Sequence, residues 1–301
     1  MNFRQLRDMK GEMVRLPSRG VTLFVRIIGK GFPVLLMHGG PGADHSTLLS
    51  FLPLAKEFKL IFYDHRCNGR SLRAEASTVT WESLAADAEA LREALQINEW
   101  AVIGHSFGGM VALEYAVRYP QSLSHLCIID SCGDGRVVLE NAPRILRQRG
   151  YRKLAADTAQ RFFSGQIHQN EFIKCMMILG RAYYSNPTLF FMLREALHGI
   201  RIRKNPSACI YGFKELIPSW SVMERLRNIK TPTLIMAGRD DFQFPPEHQR
   251  LLAAGISGAF LQIIEDAGHN AHIEKPREVL ATTKRFLKND IGSTFSTKDS
   301  P

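Results

Sequence analysis

The string GHSFG, Gly104 to Gly108, sets a serine between two glycines, directly after the apolar run Trp100 to Ile103 and directly before the helix-like run MVALEYAV. A buried strand that turns so abruptly into a helix has no room for side chains at Gly104 and Gly108. It leaves the serine between them on a strained, exposed turn beside a helix N-terminus. Five-letter strings recur by chance, and it is the strand before this one and the helix after it that give Ser106 the setting of a nucleophile. A hydroxyl is nevertheless a weak nucleophile. It needs a base, and the base needs a third group that fixes its tautomer and stabilises the imidazolium that forms.

The chain order expected for such an elbow is serine, then acid, then histidine. After the apolar run TPTLIMAG, Thr231 to Gly238, comes RDDFQFPP, so an acid follows a strand end and a proline pair opens the next helix. The strand FLQIIE, Phe260 to Glu265, is followed by DAGHNAH, which puts a histidine in a short loop before PREVLATTKRFL. Each partner stands at the C-terminal edge of an expected parallel strand, where open α/β sheets hold their sites. Both roles have two candidates. Asp240 and Asp241 are adjacent and point in different directions; Asp241, the third residue after Gly238, is the expected partner of the base. His269 follows Gly268 at the strand exit and is the expected base, whereas His272 falls where the next segment begins and could pack or cap.

A tetrahedral intermediate also needs N–H donors for its oxyanion, each worth on the order of 3 kcal/mol. One is the amide of Phe107, inside the elbow. The other is expected from the loop after the third strand, where Pro33 to His38 runs into HGGPG. Glycines at 39 and 40 let bare backbone approach a substrate and Pro41 fixes the turn that follows, so the amide of Gly40 is the second expected donor. His38 reads as a residue that hydrogen-bonds within this loop.

Positioning these groups calls for strands near 13–17, 21–28, 33–38, 59–63, 100–104, 124–129, 233–237 and 260–264, and helices near 46–56, 81–95, 107–118, 246–254 and 276–288. The first two strands read as an antiparallel edge. The others, bridged by helices, make an α/β fold with a doubly wound, mostly parallel sheet of eight strands. Between Asp130 and Thr231 the pattern gives way to roughly a hundred residues of helical periodicity with no clear buried strand.

With 301 residues, 45% of them hydrophobic, the chain can bury a large core. The polar opening MNFRQLRDMKGE does not read as a secretory leader, and no run approaches about 18 apolar residues, so a cytoplasmic protein without membrane contact is expected. Five cysteines, at 67, 127, 132, 175 and 209, lack CxxC spacing, which argues against a disulfide framework and against a zinc site; Cys127 reads as core. The Ser- and Thr-containing tail, Asp290 to Pro301, is expected to be disordered.

Charge is distributed unevenly. From Ser131 to Lys230 there are 17 Lys and Arg against 7 Asp and Glu, which accounts for the whole net charge of +10. One reading is a solvated helical surface; the functional one is a field that steers or clamps an anionic substrate. No recognition motif accompanies the charge, so nucleic acid is not expected as a partner. Of Phe162, Phe163, Met176, Met177, Tyr183, Tyr184, Phe190, Phe191 and Met192, most are expected to pack the helices on one another and a few to line an acyl pocket.

HGGPG, then DHRCNGRS at Asp64 to Ser71, then GHSFGG, then an acid and GHNAHIEKP, in this order between Val21 and Leu287, resemble the α/β-hydrolase superfamily and, within it, the proline iminopeptidase-like HGGPG branch. Members usually read DQRG where this chain has DHRC, and aminopeptidase members usually carry tryptophan or tyrosine where it has Phe107. The resemblance implies a helical lid inserted after the sixth strand, with residues 1–130 and 231–289 as the core and 131–230 as the lid.

The expected reaction is hydrolysis by acyl transfer. Ser106 attacks a carbonyl with His269 as base, Asp241 holds His269, and the amides of Gly40 and Phe107 bind the oxyanion; no metal or cofactor is required. The expected substrate is a small neutral or anionic carboxylic ester. A proline-type aminopeptidase, a carbon–carbon bond hydrolase or lactonase, and a non-catalytic ligand-binding protein of the same fold are the alternatives. The aminopeptidase would need carboxylates for the substrate's free amine, and the helical stretch offers Asp134, Glu140, Asp157, Glu171, Glu195, Glu215 and Glu224.

Overall fold

The computed structural model describes residues 11–72, 75–200 and 202–289; the tail expected to be disordered lies outside them. Strands β1 (Glu12–Leu16), β2 (Val21–Ile28), β3 (Phe32–Met37), β4 (Phe58–Tyr63), β5 (Trp100–His105), β6 (Leu123–Ile129), β7 (Thr233–Gly238) and β8 (Phe260–Ile264) form one sheet. Their order is β1-β2-β4-β3-β5-β6-β7-β8. β2 runs antiparallel to both β1 and β4, and every other pair is parallel. The helices are α1 (Trp81–Ala94), α2 (Phe107–Arg118), α3 (Arg136–Gln148), α4 (Lys153–Phe163), α5 (Phe172–Leu179), α6 (Leu189–Gly199), α7 (Pro206–Tyr211), α8 (Pro246–Gly255), α9 (Ala271–Glu274) and α10 (Pro276–Leu287).

Parallel strands covered on both faces read as unbroken apolar runs, and the two-residue period of the strand divides each run between two cores. Leu35, Ile61, Val102, Ile128 and Ile235 face one core with Leu84 of α1 and Val111 of α2. Their neighbours Val34, Leu60, Ile103, Cys127 and Met236 face the other, against Phe51 and, from α10, Val279 and Phe286. Helix α1 begins at a capping box, in which the Thr80 hydroxyl accepts the Ser83 amide at 3.0 Å while the Ser83 hydroxyl accepts the Thr80 amide at 2.9 Å. The stretch expected as a helix near 46–56 is wound instead as 3-10 turns, His45–Lys56, with Pro53 inside, where a missing N–H and ring crowding oppose an α-helical ladder.

Between β6 and β7 the described residues add no strand to the sheet and carry α3 to α7. This segment is tied to the sheet layer through α2. The Glu114 carboxylate, 1% exposed, accepts from Trp220 Nε1 at 3.1 Å and from Arg225 at 3.0 and 2.8 Å, and it also takes Arg118 at 2.7 Å. Trp220 in turn stacks on Trp81, with ring centroids 4.6 Å apart. Not all the large apolar side chains of the segment pack inward as expected: Phe162 and Phe163 are buried, but Met177 and Phe190 are each 79% exposed.

Removing the Glu114 carboxylate strands the Trp220 N–H in a buried position, a loss of about 1–3 kcal/mol. Glu114→Ala is therefore expected to lower the free energy of urea unfolding by that amount, and Arg118→Ala, on the solvent side of the same cluster, by less than about 1 kcal/mol. Equal small losses would show that the cluster does not hold the helical segment.

Candidate active site

The turn between β5 and α2 holds Ser106 at φ 53°, ψ −123°, in the left-handed half of backbone space that residues with a Cβ avoid. Several bonds fix it there. The Ser106 amide donates to Ile129 at 2.9 Å, and its carbonyl accepts from Gly109 N at 2.8 Å and from the Ser131 hydroxyl at 2.7 Å. A Cβ at Gly104 would meet the Gly108 carbonyl at 2.5 Å, so the turn closes only without side chains.

His269 enters from the loop between β8 and α9. Its Nε2 is 3.0 Å from Ser106 Oγ and its Nδ1 is 2.9 Å from Asp241 Oδ2, so the imidazole bridges the hydroxyl and the acid. Asp241 is fully buried, with its other oxygen accepting the Gln243 amide at 2.8 Å. The competing residues go elsewhere. Asp240 turns toward the helical segment, where its carboxylate takes the Ser185 hydroxyl and its carbonyl takes Arg149 at 2.6 Å. His272 donates from Nε2 to the Thr47 carbonyl at 3.2 Å and stacks on Phe51.

Gly40 has φ +137°, a conformation that favours glycine, and a Cβ on the preceding Gly39 would lie 3.3 Å from Ser106 Cβ. The HGGPG loop is therefore packed against the elbow. Phe107 is the first residue of α2, so its N–H has no partner within the helix. Its ring packs at 5.8 Å from His65 and 5.5 Å from Trp81. His38 stays within the loop, donating from Nδ1 to the Gly39 carbonyl at 2.7 Å while Nε2 accepts the His65 amide at 3.1 Å. Cys67, where the similar family has glycine, holds φ +61°.

Several residues that organise the site carry no motif. Asp130, at φ +47° just past β6, accepts the Gly238 amide at 2.8 Å on one oxygen and the Ala271 amide at 3.0 Å on the other. It thereby joins the turn that leads to Asp241 to the loop that carries His269. Asn205 of the helical segment donates from its amide to the Gly42 carbonyl and from Nδ2 to the Cys67 carbonyl, both at 2.7 Å. His105 donates from Nε2 to the His269 carbonyl at 3.0 Å. A lone acid closing the strand LCIID is the one sequence signal that points to Asp130; the others have none.

Among the described residues, two sets of side chains bring ligand-type atoms within 4.8 Å of one another: His105, Asp130 and His272, and Asp44, His45 and Asp64. In each the carboxylates are committed to holding loops. Asp130 takes two backbone amides. Asp64 takes His45 Nδ1 at 2.6 Å and the Arg70 amide at 2.6 Å, while Asp44 takes the amides of Ser46 and Arg203.

The family profile described as alpha/beta hydrolase fold matches residues 33–276. The chain is 28% identical over 279 residues to the proline iminopeptidase PfmaB of Pestalotiopsis fici, covering 89% of this chain and 97% of that one. Among solved structures it is similar to the proline iminopeptidase of Mycobacterium smegmatis, with TM-score 0.73, 23% identity and coverage of 93% and 98% of the two chains. It is also similar to the esterase EaEST of Exiguobacterium antarcticum, with TM-score 0.72, 20% identity and coverage of 89% and 96%.

Burial holds His38, His65, His105 and His272 below the ordinary histidine pKa, and His272 is pushed down to about 4. As pH falls below about 6.5 the unfolded chain takes up protons that these rings refuse, so each withdraws up to about 1.4 kcal/mol of stability per pH unit. Asp130 and Glu274, raised by burial, act in the opposite sense but are two against four. The expected result is a melting temperature that is level above about pH 7 and falls steeply from about pH 6.5 toward 4. In His272→Gln, which keeps a donor for Thr47, the fall is shallower; a flat profile in the parent chain would show that these rings accept protons in place.

Proposed function

The chain belongs to the alpha/beta hydrolase fold family and is an enzyme of that fold, and from this premise we propose that it is a serine hydrolase acting on a carboxylic ester of a small neutral or anionic substrate. The observation that carries the proposal is the unbroken relay from Ser106 Oγ through His269 to Asp241, at 3.0 and 2.9 Å, on a serine whose backbone is strained. In this reading His269 Nε2 takes the hydroxyl proton as Ser106 attacks the acyl carbon, and Asp241 stabilises the imidazolium. The amides of Phe107 and Gly40 receive the negative charge that develops on the carbonyl oxygen. His269 then delivers its proton to the leaving alcohol, and water releases the acid from the acyl-enzyme by the same steps in reverse roles. The segment from Ser131 to Lys230 acts as the lid over this site.

The choice of ester over amine-bearing peptide rests on how the acids of the helical segment are used. Asp134, Asp157, Glu171, Glu195 and Glu215 are each paired with an arginine or lysine, and Glu140 and Glu224 are exposed. Burial opposes ionisation of Glu195, yet His198 and Arg194 outweigh it and hold its carboxyl below the usual range. An ammonium group would have to displace these partners. The second reading, an aminopeptidase, is favoured by the relative named proline iminopeptidase.

Ser106→Ala and His269→Ala are expected to fold normally and to lose turnover by several orders of magnitude, with loss of fluorophosphonate labelling in the serine variant. Asp241→Asn is expected to lower turnover roughly 10⁴-fold and Asp240→Asn far less. Near-normal hydrolysis by Ser106→Ala would end the proposal, and the reverse ranking of the acids would move the role to Asp240.

Matched substrates decide specificity. A neutral acyl ester is expected to show higher kcat/KM than a prolyl anilide. A preference for the anilide that is lost in Glu195→Gln would establish the aminopeptidase instead.

A further inference from the structure

Helix α6 rests on the molecule without a single buried residue. Its inward arc carries Phe191, edge-on to Tyr184 at 5.0 Å, and Glu195, whose side chain is only 10% exposed. The outward arc is apolar: Leu189 is 78% exposed, Phe190 79%, Leu193 57% and Leu197 65%, and Ile200, one residue past the helix, 78%. At about 3.6 residues per turn these side chains share one arc of about 100°. Monomers rarely leave so much contiguous apolar surface in water.

The charge that the chain carries beside the stripe has one sign: Arg194 stands on the helix itself, and the Lys204 ammonium donates to the Gly199 carbonyl at its end. Between Phe172 and Lys204 the sequence has six Lys and Arg and a single acid, Glu195, which is turned inward and paired with Arg194 and His198. Lys174, Arg181, Arg194, Arg203 and Lys204 are exposed. The carboxylates near the N-terminal end of the helix are engaged: Glu274 takes the amides of Ser185 and Gly268, and Asp266 pairs with Lys275 at 3.4 Å.

We propose that the outward face of α6 docks on an anionic lipid bilayer, its apolar stripe entering the boundary between headgroups and acyl chains and its basic rim meeting the headgroups. Charge complementarity selects this occupant over a second copy of the chain, because a two-fold contact through the same face would press two basic rims together. The contact is peripheral, since no described helix is long and apolar enough to cross a membrane. It departs from the absence of membrane contact expected from the sequence, where a stripe at helical spacing is indistinguishable from core.

The full chain is sedimented with vesicles of phosphatidylcholine alone and of phosphatidylcholine carrying about one-third phosphatidylserine, at low and high salt. It is expected to bind the anionic vesicles, with partial release by salt, to bind the neutral ones weakly, and to be monomeric in solution. The variant Leu189→Gln, Phe190→Gln, Leu193→Gln, altered only at exposed positions, is expected to lose vesicle affinity by roughly tenfold or more while hydrolysing a soluble ester as the parent does. Arg203→Gln with Lys204→Gln, at exposed positions just past the helix, is expected to weaken binding to anionic vesicles selectively. Ser106→Ala is expected to bind as the parent does, so the docking surface is tested independently of the catalytic reading. The proposal is overturned by absence of binding to anionic vesicles, by equal binding to both compositions, or by binding unchanged in the triple variant. It is equally overturned by a micromolar dimer that the triple variant dissociates, which would assign the face to a second copy.

Discussion

At Gly108 the first turn of α2 presses on the end of β3: a Cβ there would lie 2.0 Å from the Met37 carbonyl oxygen and 2.6 Å from that of His38. No side chain can be accommodated by adjustment at such distances, because both sides of the contact are backbone. The contact sets the separation between the elbow and the HGGPG loop, which leave adjacent strands of the sheet. The amides of Phe107 and Gly40 inherit their spacing from it. At Gly109 the same closeness recurs toward Ser131, just past β6, where a Cβ would meet the serine Oγ at 2.6 Å. The strained backbone of Ser106 is thus held by three neighbouring strand ends, β3, β5 and β6, and strain of this kind, on the order of 1–3 kcal/mol, persists only where the surroundings over-determine it.

Asp241 and His269 are joined to that frame through Asp130, which holds the backbone on either side of them. Asp130 receives one backbone amide from the β7 exit and one from the loop beyond His269, so the C-terminal ends of β6, β7 and β8 act as one unit. Burial and the nearby Asp241 both push its carboxyl upward, which is the electrostatic penalty of placing a second acid under the relay. Asp240 makes the complementary connection outward, to Arg149 and Ser185 of the helical segment. Two adjacent aspartates therefore divide the work, one facing the histidine and one fastening the overlying helices.

The elbow and the glycine loop were legible because each depends on residues next to one another in the chain. The sheet was legible for the same reason: eight apolar runs separated by helical periodicity leave few topologies. Choosing between Asp240 and Asp241, or His269 and His272, was a matter of which direction each side chain takes, and that is fixed by Ser185, Arg149, Thr47 and Phe51, residues far away in sequence. Asp130 showed only as a lone acid at the end of LCIID and Asn205 not at all, because the partners that give each its role lie across the fold. The 3-10 winding of His45–Lys56 follows from Pro53 and from Asp44 as cap, a local signal that apolar periodicity alone obscures. The outward stripe of α6 escaped because periodicity reports that a face is apolar and not whether protein covers it.

At Gly238 the turn leading to Asp241 touches the loop leading to His269, and a Cβ there would lie 2.1 Å from the Gly268 carbonyl oxygen and 2.4 Å from that of Ala267. Any larger residue would wedge the two loops apart and widen the gap that the imidazole has to span. Variation in a lineage built on this scaffold is therefore blocked at the sheet edge and channelled elsewhere. The stretch between β6 and β7 can be lengthened, repacked or recharged while that backbone contact stays intact, so the helical segment is free to diverge without moving Asp241 relative to His269.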